Sequence, residues 1–104
     1  MSLDSLPTLD PDAGEVLDAE VAYNDDTLVK AFALGPGARL EPHEHGDSTN
    51  VFHVLEGTVT VIQDDTAETV TAPGVVVHER GVAHGAENEG DEPALITATF
   101  APGP

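Results

Sequence analysis

Gly37-Ala-Arg-Leu-Glu-Pro-His-Glu-His-Gly-Asp-Ser-Thr-Asn-Val-Phe-His-Val-Leu-Glu-Gly57 is the stretch on which the reading of this chain turns. It holds three of the five histidines, and His43 and His45 are separated by a single residue. In an extended segment residues i and i+2 point to the same face, so the two imidazoles project side by side. Two neutral nitrogen donors placed that way suit one shared divalent metal ion. His84 follows about forty residues later, beyond another β-rich run. Two donors from one strand and a third from a distant strand is how a β-barrel assembles a metal site.

The flanking sequence reads as short strands separated by turn signals. Glu15 to Tyr23 is loosely apolar, and Asn24-Asp25-Asp26 turns the chain into Leu28 to Leu34, which Gly35-Pro36-Gly37 ends. Pro42 cannot donate to a ladder, so the segment carrying His43 is an edge, a bulge or irregular at that point. Strands are then expected at Asn50 to Leu55, Thr58 to Gln63, Ala67 to Thr71, Val75 to His78 and Ala94 to Phe100, with a hairpin turn at Asp64-Asp65. Glu79 to Gly81 reads as a loop leading to His84, and Glu87 to Pro93 as a polar loop. No segment shows a sustained helical period with caps. Roughly eight to ten short strands at regular spacing argue for an all-β sandwich or barrel. Residues 1–14, with Pro7, Pro11 and Gly14 among aspartates, read as an N-terminal arm, and residues 15–104 as the single barrel domain.

The charge balance bounds what such a barrel can do. Three basic residues face twenty acidic ones, a formal net charge of −17, in a chain with 39% hydrophobic and 4% aromatic residues. Such values can signal disorder, but the acids are scattered between β-branched runs rather than gathered in blocks. Adaptation to a salt-saturated cytoplasm is the preferred reading, with a halophilic archaeon as the source. A chain this acidic does not bind nucleic acid or an anionic membrane through a basic patch. Cysteine is absent, so disulfides and thiolate sites are excluded. The first residues show neither a basic nor an apolar signal region, and no stretch approaches membrane-spanning length, so a cytoplasmic location is expected.

The motif residues resemble the cupin superfamily, in its small single-domain form. Gly37, five residues, His43-x-His45, four residues, Asn50, six residues and Gly57 are similar to the first cupin motif, and Val54-Leu55-Glu56-Gly57 is a common form of its end. Pro73-Gly74 through Gly81-Val82-Ala83-His84, with Asn88 beyond, is similar to the second. Two positions depart from that second motif: Glu79 replaces its proline, and Pro73 stands at its leading glycine. Together the motifs cover about a third of the chain.

The resemblance implies a jelly-roll β-barrel, often dimeric, with a divalent metal inside, here Zn, Ni, Fe, Mn or Cu. Carried over by position, the metal ligands are His43, His45, Asn50 and His84. Asn50 is the main departure, since the family usually has a carboxylate there. An amide carbonyl is a weaker, neutral donor that leaves the ion its full charge. In an alternative arrangement Asn50 stands behind three histidines and a water.

Other residues are placed by strand parity. Phe52 and Val54 share parity with Asn50 and should line the cavity, and Glu41 shares parity with His43 and His45. His53 has the opposite parity and faces away on a regular strand, although a bulge would turn it inward. His78, ahead of the loop to His84, is a further candidate for the pocket. No residue beyond Glu41, His53 and His78 offers a general base, so catalytic residues stay unassigned. The function expected is a metal-binding barrel that binds or transforms a small organic molecule, through dioxygenase or isomerase chemistry. The alternative is a non-catalytic binding or sensor protein, metal-free in one version. A homodimer would cover sheet edges that this fold exposes.

Overall fold

A computed structural model describes residues 6, 8–44 and 46–103 of the chain. They form nine strands and no helix: β1 (Val16–Tyr23), β2 (Leu28–Leu34), β3 (Arg39–His43), β4 (Thr49–Glu56), β5 (Thr58–Gln63), β6 (Thr66–Thr71), β7 (Gly74–His78), β8 (His84–Glu87) and β9 (Ala94–Ala101). Two antiparallel sheets result, one ordered β1-β2-β9-β4-β7 and the other β3-β8-β5-β6. Neighbours in each sheet are mostly distant in sequence, the crossing pattern of a jelly-roll barrel. The described arm residues precede β1 and carry no strand. Among the described residues no helix is long and apolar enough to cross a membrane.

Alternation explains which faces meet. β4 reads Thr-Asn-Val-Phe-His-Val, and its buried positions are Asn50, Phe52 and Val54 while His53 is exposed. Register carries the same face across the sheet, with Phe52 opposite Ala98 on β9 and Val76 on β7. The second sheet contributes Val59, Val61 and Ala86 to a single core that also contains Phe32, Leu34, Ile96 and Phe100. Medium aliphatic side chains fill most of this core, as the low aromatic content requires.

β8 is the strand for which the sequence reading gave no bounds, although it placed His84 on a strand distant from His43. His84-Gly-Ala-Glu has little intrinsic strand preference, yet it lies between β3 and β5 in the sheet. Gly85 explains the placement: a Cβ there would fall 2.5 Å from the Leu40 carbonyl oxygen and 2.9 Å from the Pro42 nitrogen. Only glycine allows the two backbones to come so close.

β3 corrects one expectation about orientation. Leu40 pairs with Ala86 and His43 with His84, so three residues of β3 span two of β8, and the register shifts between them. This bulge at Pro42 puts Leu40 and His43 on one side, with Leu40 packed against the core. Glu41 is turned out to solvent and pairs with Arg39 at 3.2 Å instead of lining the interior.

Candidate functional site

The register brings two rows of side chains face to face. Across the β3-β8-β5 sheet lie His43, His84 and Gln63. Across the opposite sheet lie Phe100, Asn50 and His78. Two hydrogen bonds join the rows. Asn50 Nδ2 is 2.7 Å from His84 Nε2, and Gln63 Nε2 is 2.9 Å from His78 Nδ1. Asn50, His78 and His84 are all buried.

His84 is aligned by its backbone and by the β5–β6 hairpin. Asp64 N–H donates to the Ala83 carbonyl at 2.8 Å, and Ala83 N–H donates to Asp64 Oδ1 at 3.0 Å, which fixes the approach to β8. His84 Nδ1 donates to the Val82 carbonyl at 3.0 Å. The proton of a neutral ring then sits on Nδ1, and the Nε2 lone pair points inward to accept from Asn50. His43 makes the same kind of contact from Nδ1 to the Glu41 carbonyl, at 3.1 Å. Its ring is exposed at the barrel rim, with its centroid 5.4 Å from that of His84.

His78 lies stacked on His84, centroids 4.6 Å apart and planes 16° from parallel, with Phe52 edge-on at 4.4 Å. Burial, and secondarily the neighbouring His84, lowers its pKa from 6.5 to about 4. The ring is therefore neutral at pH 7. Two buried side-chain atoms of this cluster, Asn50 Oδ1 and His78 Nε2, find no hydrogen-bond partner among the described residues.

Whether these residues suit a divalent metal is decided by Asn50. With its amide nitrogen toward His84, the oxygen is left unpaired in the interior. Turning the amide over would set Oδ1 beside the Nε2 lone pair, two acceptors that a metal ion beside them, or a proton on Nε2, would reconcile. Two imidazoles each about 2.1 Å from one ion through nitrogen hold their ring centres roughly 5 Å apart, close to the His43–His84 spacing. The donor set therefore fits such an ion. Among the described residues no group of three or more His, Cys, Asp or Glu side chains is assembled to hold a metal. His45 lies outside the described residues.

Of the remaining candidates, Phe52 and Val54 face inward but are packed into the core. His53 faces outward, between Val75 and Thr97 of the adjacent strands, and does not line the interior. The register shift of β4 falls after Val54, too late to turn it. Gln63 is a site residue that the sequence reading misses. Its signal is the parity it shares with buried Val59 and Val61, which puts a lone polar residue at the end of an inward row. Asn88, part of the second motif, is structural. Its buried amide donates to the Leu34 and Glu92 carbonyls and accepts from Gly90 N–H. A cavity of about 270 Å³ lies elsewhere, outside the barrel, between Leu9 and Pro11 of the arm and Ala33 and Leu95.

Fold and site together define a small double-sheeted barrel with an imidazole-lined interior. The chain belongs to the cupin domain family, whose profile matches residues 31–100. It is 40% identical over 70 residues to germin-like protein 1-1 of rice, Oryza sativa subsp. japonica, covering 62% of this chain and 32% of that protein. The chain thus spans about a third of the length of that relative. Among solved structures, TT1209 from Thermus thermophilus superposes with a TM-score of 0.82 at 29% identity, over 86% of both chains. An uncharacterized conserved protein with a double-stranded beta-helix domain from Klebsiella pneumoniae gives 0.84 at 26% identity, over 91% of this chain and 84% of that one.

Proposed function

We propose that this cupin holds one divalent transition metal through His43, His45, Asn50 and His84, and binds or transforms a small organic molecule beside it. The observation that carries the reading is the buried Asn50–His84 pair, which meets across the sheets and leaves the amide oxygen without a partner among the described residues. A bound ion would supply Lewis acidity and acidify a coordinated water or substrate group. The protein's own contribution is to fix the His84 ring through Val82, to orient the His43 ring through Glu41, and to cover the His84 ring with the edge of Phe52. With no carboxylate among the donors the ion keeps its charge, which favours an anionic ligand. Dioxygenation and isomerisation are the reaction classes proposed.

A second reading is supported by the same hydrogen bond. Asn50 Nδ2 already satisfies the His84 lone pair, so a metal-free barrel that only binds a ligand is also self-consistent. Elemental mass spectrometry separates the two, on protein kept in molar KCl beside a His43→Ala/His45→Ala variant. About one metal per chain, lost in the variant, is the result expected. Less than about a tenth of a metal per chain, even after incubation with Mn, Fe, Ni and Zn, favours the metal-free reading.

A cytoplasmic homodimer from a halophile completes the proposal. The acidic surface supports the salt adaptation, and exposed Tyr23, Val75 and Val77 on the edge strands β1 and β7 offer apolar surface for a second copy to cover. Light scattering in molar KCl tests the dimer, and a monomer mass would refute it.

A further inference from the structure

The two ring nitrogens of His78 have different fates. Nδ1 is 2.9 Å from Gln63 Nε2, and the same amide nitrogen is 2.9 Å from the Val77 carbonyl oxygen. A carbonyl oxygen only accepts, so the Gln63 amide must present its NH2 group to both. His78 Nδ1 therefore accepts, and the proton of the neutral ring sits on Nε2. A protonated Nε2 cannot ligate a metal. This N–H is buried and has no partner among the described residues, although buried donors are almost always satisfied.

The position does not require an imidazole for packing. Val75, Val76 and Val77 precede it on the same strand, and another aliphatic side chain would fill the place without an orphaned donor. The ring is held from several directions, by Gln63 at Nδ1, by His84 across its face and by the edge of Phe52. A donor fixed this firmly and left unpaired is suited to something that arrives.

We propose that His78 is a ligand-binding residue whose Nε2–H donates to a carbonyl or carboxylate oxygen of the small molecule held between the sheets, with Gln63 as the positioning residue that sets its tautomer. An ammonium or hydrocarbon group cannot satisfy an N–H donor, and a charged oxygen accepts the strongest bond. The proposal rests on the reading of the barrel as a small-molecule site, but the hydrogen bond requires no metal.

Imidazole nitrogen-15 spectra of the protein as purified, with metal content measured on the same sample, test this. At neutral pH His78 is expected in the Nε2–H form. Acetate, pyruvate and acetone serve as probes, and at least one should shift the Nε2–H signal downfield to saturation. His78→Phe should weaken that binding about tenfold or more. Gln63→Glu, which puts an acceptor at Nδ1, should move the proton there and weaken binding similarly. An Nδ1–H tautomer in the unaltered protein overturns the proposal, as does a signal that none of the three probes moves, which would mean a buried water only. A sample that takes up no metal even after incubation with Mn, Fe, Ni and Zn, yet whose His78 still responds, would refute the metal reading and support this one.

Discussion

His78 and His84 come from different sheets, yet their rings lie 4.6 Å apart and 16° from parallel. The contact arises because His78 stands opposite Asn50 in one sheet and His84 opposite His43 in the other, and these rows face each other. Burial, and secondarily the neighbouring His84, make the His78 ring resist protonation.

A pH dependence of stability follows. The unfolded His78 takes up a proton near 6.5 and the folded one near 4, so between those values the unfolded chain binds more protons and stability falls as pH falls. The full stability is present above about pH 6.5, and roughly 3 kcal/mol is lost by pH 4. Urea unfolding near pH 7 and near pH 4.5 should show the unaltered protein losing about 2–3 kcal/mol more than His78→Phe. The surface carboxylates respond alike in both proteins and cancel. Parallel losses would mean that the ring is not buried and neutral.

Asn50→Asp replaces a donor to His84 by a buried carboxylate. Without metal the variant should be less stable by about 2–4 kcal/mol. With Zn or Mn the order should reverse, because the carboxylate is the better ligand. Thermal melts with and without metal check both halves, and an equal metal response in the two proteins would count against Asn50 as a ligand.

Gly85→Ala acts on the site through the backbone. Its new Cβ would meet the Leu40 carbonyl and Pro42 nitrogen at 2.5 and 2.9 Å, neither of which is a flexible group. Separating β3 from β8 should cost about 2 kcal/mol or more and move His43 away from His84. Chemical denaturation and metal titration should report the two effects together, and a variant with unaltered stability would refute the close approach.

Asn88→Ala should destabilise by about 3 kcal/mol, since it removes three hydrogen bonds and leaves the Leu34 carbonyl without its buried donor. Urea unfolding measures the loss. Its metal content should be unchanged, which separates this motif residue from the site.

Salt should stabilise the fold. A net charge of −17 repels itself across the surface, and the Debye length falls from about 10 Å to about 3 Å between 0.1 M and 1 M salt. The melting midpoint should rise by roughly 5 °C over that range, alike in KCl and NaCl. A flat response would show that the acids carry no stability cost.

Alternation was enough for much of this molecule. The strand pattern, the inward row Asn50, Phe52 and Val54 and the outward His53 all follow from period two on a regular strand. The motif spacing from Gly37 to Gly57 likewise pointed to the family that the match over residues 31–100 establishes. Other features depended on strands that are far apart in sequence. One extra residue at Pro42 turned Glu41 outward, and β8 formed from a weak sequence because two neighbouring strands supplied its ladders. The partnerships of Asn50 with His84 and of Gln63 with His78 were decided only when two sheets packed in one register. Parity tells which face a side chain takes, but which side chain it meets there is set by long-range pairing and sheet packing.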